Sequence, residues 1–368
     1  MEPGLGLYAR MLTRDNLRFA RQIGAASLVV HMADYAPGAP RHSRFDADAK
    51  GWDVSAARGT VWSRDELRDI RRMVEDAGLR LAALENFNPA LWHDVLLDGP
   101  NKRAQLDALK QTVRNAGQAG IPCIGYCFTI AGVWGHVYGD WARGAATTVG
   151  FHGEDGRAQM PIPLGWVWNR IYDPAAPAGN LPSVTREEML ARRTELLDEL
   201  LPVAEEHGVR LAAHPDDPPV PVLRGTARLL TRVRDFDELT ARHPSHANAV
   251  QLCVGTIAEM PGEDVYAAAE HLARTGRIAY VHLRNVRGTL PNYTEVFLDE
   301  GDVDVPRLLE ALARGGFNGT VIPDHTPRVT CDAPWHAGMA WALGHLRASF
   351  AALRRTQADT MKAGSGGR

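Results

Sequence analysis

Four cysteines in 368 residues are too few and too scattered for a disulfide framework. Cys123, Cys127, Cys253 and Cys331 form no CxxC pair, and each lies in or beside an apolar stretch or loop. Each reads first as a small hydrophobe. A surplus of either charge is also missing. Lys and Arg number 41 against 44 Asp and Glu, for a net charge of −3 and a pI near 6.5. That balance offers no basic footprint for nucleic acid or an anionic membrane. No apolar run approaches the roughly 18 residues that cross a bilayer. The opening MEPGLGLYARMLTRDN lacks the charged start and apolar core of a secretion signal. The expectation is a cytoplasmic protein that binds neither nucleic acid nor membrane.

What is there alternates. Short apolar runs recur at GLYA (6–9), SLVVHM (27–32), LRLAALEN (79–86), PCIGYCF (122–128), VRLAAHP (209–215), AVQLCVG (249–255), IAYVHLR (278–284) and GTVIPDH (319–325). Charged, apolar-periodic segments separate them, at about 63–77, 101–118, 185–207, 224–242, 263–275 and 304–314, and a last one spans about 337–355. Ser63 is a plausible N-cap for the first, with Asp65 and Glu66 in its first turn. The runs are continuously apolar, as in strands covered on both faces. Eight strands, most followed by a helix, predict a (β/α)8 TIM barrel. The barrel is expected to be one domain over 1–356, with a disordered tail at 357–368. Two connections, 33–62 after strand 2 and 129–184 after strand 4, are long enough for lids or binding loops. The second holds Trp134, Trp141, Trp166 and Trp168, which read either as a small core of their own or as a lid over the barrel mouth.

The strand ends carry the chemistry. Strand 5 ends at His214, strand 6 at Cys253, strand 7 at His282 and strand 8 at Asp324, within VIPDHTP. Active sites of such barrels lie at this rim. Imidazole, thiol, imidazole and carboxylate from four consecutive strands make a donor set for one divalent metal. Singly, each histidine reads as a satisfied polar residue and Cys253 as core; together they point to a metal. Glu85, closing strand 3, reads as a substrate-binding carboxylate or a structural one. Arg284 reads as substrate-facing or as a structural arginine.

HPDDPP (214–219), LCVGT (252–256), VHLRNV (281–286), EVFLDEGDVDV (295–305) and PDH (323–325) resemble successive blocks of the mannonate dehydratase family. The likeness extends more weakly to RQIG (21–24), VWSRDELRDIRRMVEDAGL and NAGQAGIPCIGY (115–126). It implies a xylose-isomerase-like barrel that dehydrates D-mannonate to 2-keto-3-deoxy-D-gluconate with Mn2+ or Fe2+. It further implies His214, Cys253, His282 and Asp324 as ligands, His325 in proton transfer and Arg284 facing a sugar-acid substrate. Barrels of this kind often assemble as homo-oligomers, and the sequence identifies no interface for one.

Some blocks depart from the family. Its second acid–base group is a tyrosine in a PGYG-like stretch; here PWHAG (334–338) puts His336 in that place. An imidazole titrating near ~6.5 does not replace a phenol near ~10 without consequence. The family's FHE reads YTE (293–295), so its histidine is Thr294. The expectation is therefore a metal-dependent sugar-acid dehydratase with His325 and His336 as catalytic groups. A metal-dependent isomerase or epimerase is the alternative, and a non-catalytic sugar-acid-binding protein the third reading.

Overall fold

The protein's structure, a computed structural model, describes residues 1–32, 61–153 and 156–365. Most of the connection expected at 33–62 lies outside the described residues. Eight strands close a barrel: β1 (Glu2–Tyr8), β2 (Ser27–His31), β3 (Arg80–Glu85), β4 (Cys123–Tyr126), β5 (Arg210–Ala213), β6 (Asn248–Cys253), β7 (Ile278–Leu283) and β8 (Thr320–Pro323). Each pairs in parallel with its neighbours in sequence, and β8 closes on β1 through Glu2↔Thr320 and Pro3↔Val321. The eight apolar runs of the sequence are these eight strands.

The crossover helices are α1 (Arg14–Gln22), α2 (Arg64–Asp76), α3 (Lys102–Gln118), α4 (Arg186–Glu206), α5 (Val233–Arg242), α6 (Val265–Arg274), α7 (Val305–Arg314) and α8 (Pro334–Ser365). Their starts are chemically marked. Ser63 caps α2 by accepting from the Glu66 amide, and Thr185 and Glu188 form a reciprocal capping box at α4. Two expectations shift. The helix expected from residue 224 begins only at Val233, because Arg224 (φ 55°) and Gly225 (φ 77°) turn a small hairpin between Val222–Leu223 and Thr226–Ala227. The last helix runs through Ser365, past the boundary expected at 356.

Strand periodicity decides what faces the barrel axis. Val29, Ala83, Cys123, Ala212, Ala249, Tyr280 and Ile322 form a small buried cluster of their own. Leu28, Val30, Leu84, Ile124, Leu211, Val250, Val281 and Val321 belong instead to the large core under the helices. The first set is the barrel interior. Two residues further along each strand, the same parity presents His31, Glu85, His214, Cys253 (after Gln251), His282 and Asp324. Inward-facing positions at the ends of the strands therefore form one cup.

The excursion after β4 does not stand alone. Its strands Val137–Ala142 and Ala146–His152 join the hairpin Asn285–Thr289 and Asn292–Val296, which follows β7, in one antiparallel sheet. Trp134, Trp166 and Trp168 pack against the main core, and Trp134 also lies under the Arg224 guanidinium at 3.9 Å. Trp141 is 38% exposed. Trp134, Trp166 and Trp168 thus fasten the excursion to the main core, while Trp141 meets His152 of its own sheet.

Candidate active site

The donor atoms of His214, Cys253 and His282 lie within 4.8 Å of one another. Their strands, β5, β6 and β7, are adjacent, so three neighbouring ends deliver two imidazoles and a thiol to one point. Asp324, just after β8, flanks the trio: its Oδ1 is 3.5 Å from His282 Nδ1 and its Oδ2 is 4.0 Å from Cys253 Sγ. His214 Nδ1 is 2.6 Å from the Pro215 carbonyl. Donation there leaves Nε2 as its ligating nitrogen. Two imidazoles, a thiol and a carboxylate fit a divalent transition metal, and the bound orientation of His214 favours that fit.

The buried charges at the strand ends offset one another. Burial opposes ionisation of Asp324, but His325, His282, Arg284 and His214 bring it down to about 2. Burial also works against a charged His214; the hydrogen bond and charge of Cys127, with Glu85 and Asp324, raise it to about 9. The Cys253 thiol is pushed up to about 12 by burial, with Arg284 and the Thr256 hydroxyl opposing. Without a metal the thiol keeps its proton, and a metal must displace it.

His325 lies between two carboxylates. Its Nδ1 is 3.0 Å from Glu295 Oε2, and its Nε2 is 3.4 Å from Asp324 Oδ1. Glu295, buried on the hairpin after β7, orients this imidazole.

Arg284, read from the sequence as substrate-facing or structural, lies among acidic side chains. It is 2% exposed and sits among four carboxylates. Nη2 is 2.7 Å from Asp217 Oδ2 and 2.8 Å from Glu259 Oε1; Nη1 is 3.0 Å from Glu295 Oε1 and 3.6 Å from Asp324 Oδ2. A Cβ at position 255 would collide with its Nε, so Gly255 makes the space for it. Burial and Asp217 raise the Glu259 carboxyl well above the usual range, against the pull of Arg284. The two aspartates of HPDDPP divide their labour: Asp217 pairs with Arg284, and Asp216 pairs with the buried Arg228 at 2.7 Å. Beside the joint sheet, His136 Nε2 is 2.7 Å from Tyr293 Oη, and Tyr293 donates to Asp217 Oδ1 at 3.3 Å.

Glu85 is 4% exposed and spans the barrel. Its Oε2 is 3.0 Å from His282 Nε2 and accepts from Tyr280 at 3.0 Å. Its Oε1 is 3.4 Å from His31 Nδ1. His336 is not brought into this cluster. It heads α8, donates from Nε2 to Asn16 Oδ1 over 3.1 Å, and meets Phe19 and Trp335 edge-on. The register of PWHAG led to His336, but α8 packs its first turn against α1. Glu295, His31, Asp217, His136 and Tyr293 were missed. Strand parity pointed to His31, and YTE and HPDDPP contained Glu295 and Asp217 in plain view.

The chain matches the family model of D-mannonate dehydratase (UxuA) over residues 52–357. It is 28% identical over 296 residues to a mannonate dehydratase of Streptococcus suis (strain 05ZYH33), covering 74% of this chain and 77% of that protein. It is 28% identical over 297 residues to one of Lactococcus lactis subsp. cremoris (strain MG1363), covering 75% and 81%. Among solved structures, the mannonate dehydratase of Streptococcus suis serotype 2 superposes with a TM-score of 0.75 at 23% identity, over 97% of this chain and 96% of that one.

Proposed function

Since the chain belongs to the D-mannonate dehydratase family, we propose that it is a hydro-lyase that converts D-mannonate to 2-keto-3-deoxy-D-gluconate and water. A proton leaves carbon 2, the hydroxyl leaves carbon 3 as water, and the resulting enol becomes the 2-keto group. The observation that carries this reading is the convergence of His214, Cys253, His282 and Asp324, with the His325–Glu295 pair beside them.

In this reading those four residues hold the metal. A thiol among the donors disfavours Mg2+ and Ca2+ and suits Mn2+ or Fe2+. When bound, a divalent ion supplies positive charge beside the substrate carboxylate, where negative charge develops as the carbon 2 proton leaves. The remaining work belongs to the chain. His325 moves a proton at Nε2, because Glu295 occupies Nδ1. Arg284 holds Asp217, Glu295 and Asp324 in fixed positions, which aligns His325 and Asp324 together. The sheet carrying Tyr293 and Glu295 keeps water from this layer: both residues are at most 4% exposed. His336, paired with Asn16, has no part in the proton transfer.

The test is an assay of the purified chain with Mn2+ against a panel of aldonates, reading 2-keto acid formation. D-Mannonate is expected to be the best substrate. Absence of 2-keto acid from every aldonate would overturn the reading, and deuterium exchange beside a carbonyl without water loss would replace it with epimerisation.

A further inference from the structure

We propose that Glu85 is a positioning residue: it holds the hydrogen of His282 on Nε2 and so turns Nδ1 toward the metal. The proposal rests on the metal site read above, and it concerns a residue on β3, outside the four strands whose ends supply the donors.

The Gln251 amide nitrogen lies near both nitrogens of His282, 2.8 Å from Nε2 and 3.2 Å from Nδ1, and the two nitrogens differ in the carboxylate each meets. Nδ1 looks at Asp324 Oδ1 over 3.5 Å, on the side of the metal donors. Nε2 looks at Glu85 Oε2 over 3.0 Å. An ionised carboxylate only accepts, so this contact is favourable when Nε2 carries the hydrogen. The lone pair of Nδ1 is then free to ligate.

A rival contact exists and can be weighed. The Gln251 amide lies 2.8 Å from the same Nε2, with its nitrogen toward the ring. A hydrogen donated from that amide would place a lone pair on Nε2, facing the Glu85 carboxylate at 3.0 Å. Gln251 Oε1, meanwhile, is buried without a hydrogen-bond partner. Exchanging the two ends of the amide, which are alike in shape, brings Oε1 to the ring hydrogen. Both neighbours then accept from Nε2–H, and the amide nitrogen takes the place that Oε1 held.

Glu85 is itself held from three sides. Tyr280 donates to Oε2 at 3.0 Å, His31 Nδ1 lies 3.4 Å from Oε1, and His282 completes the set. Tyr280 reaches this point because position 125 is glycine; a Cβ there would collide with its hydroxyl. With both oxygens engaged and 4% exposure, the carboxylate is built to orient a neighbour rather than to receive a sugar hydroxyl.

The experiment reads the imidazole directly. Two-bond 1H–15N correlation spectra of the 15N-histidine-labelled full chain are recorded without metal at pH 8.5. The His282 signals are assigned by their loss in His282→Gln. The expected result is a hydrogen on Nε2; a hydrogen on Nδ1 alone overturns the proposal. Titration with Mn2+ alone then compares the wild type with Glu85→Gln. The variant is expected to bind about 10–100-fold more weakly, with His282 shifted toward the Nδ1–H form. Unchanged Mn2+ affinity with an unchanged ring would overturn the proposal. Tyr280→Phe removes a donor from the same oxygen while keeping the ring volume, and it is expected to leave Nε2 protonated; a shift equal to that of Glu85→Gln would mean that packing, not the carboxylate, sets the ring. The wild-type spectrum stands even where a variant does not fold. None of these readouts needs substrate, so a missing dehydratase activity would leave the result on Glu85 intact.

Discussion

Arg284 is the residue on which the charges of this site balance. Four carboxylates face it within 3.6 Å, and at 2% exposure water cannot screen them. Replacing it with methionine keeps the length of the side chain but takes from Asp217, Glu295 and Asp324 the guanidinium they share, leaving their histidine and tyrosine partners in the interior. Breaking a buried pair in this way costs about 3–5 kcal/mol, so Arg284→Met is expected to lose that much stability in urea unfolding. A loss under about 1 kcal/mol would show that Arg284 is not their counterion. The two histidines separate by kinetics. His325→Gln is expected to lower kcat about 10²–10⁴-fold while Mn2+ still binds, whereas His336→Gln, far from these carboxylates in its contacts, is expected to stay within about tenfold. A larger loss at His336 would return the second acid–base role to it. The four candidate donors were legible as a group because they close four consecutive strands, and that pattern is local. Arg284 and Glu85 were visible as residues but not as partners. Their roles depend on which carboxylates or imidazoles arrive from other strands, and one sequence does not record that distance.

At the scale of elements, the strands were readable because a fully covered strand is apolar along its whole length. Helix starts were readable where a side chain marks them, as at Ser63. The false start at residue 224 has a physical reason: apolar spacing alone does not reveal that Arg224 and Gly225 adopt positive φ. The joint sheet was also out of reach, since it pairs Tyr293 with Phe151 across 142 positions of chain. That pairing brings Glu295 to His325, so the contact between them depends on it. By contrast, α4 owes its start to local chemistry. Thr185 and Glu188 satisfy one another's backbone amides. Thr185→Ala is expected to cost about 1 kcal/mol of stability with kcat/KM unchanged, measured by denaturant titration beside the activity assay. An equal loss of activity would mean that the α4 start supports the site as well as the fold.

For the whole molecule, the cup at the strand ends sets a tension between stability and function. The interior there carries His31, Glu85, His214, Cys253, His282 and Asp324 where apolar side chains would pack at lower cost. Part of that cost is relieved inside the protein: Asp324 is held down to about 2 by its cationic neighbours, and His214 is raised to about 9 by its anionic ones. A ligand that binds only the folded cup adds to stability by mass action. At Mn2+ a hundred times its Kd the gain is about 2.7 kcal/mol. Chelation is therefore expected to lower the melting temperature and abolish dehydration together, and restoring Mn2+ should recover both, while Mg2+ should recover neither because of the thiol. Cys253→Ser tests the link between the two effects. The hydroxyl is a weak donor to a transition metal, so the variant is expected to lose the Mn2+-dependent rise in melting temperature as well as activity. If activity fell while the full thermal rise remained, the four strand ends would hold no metal, and the catalytic reading of this rim would need another centre.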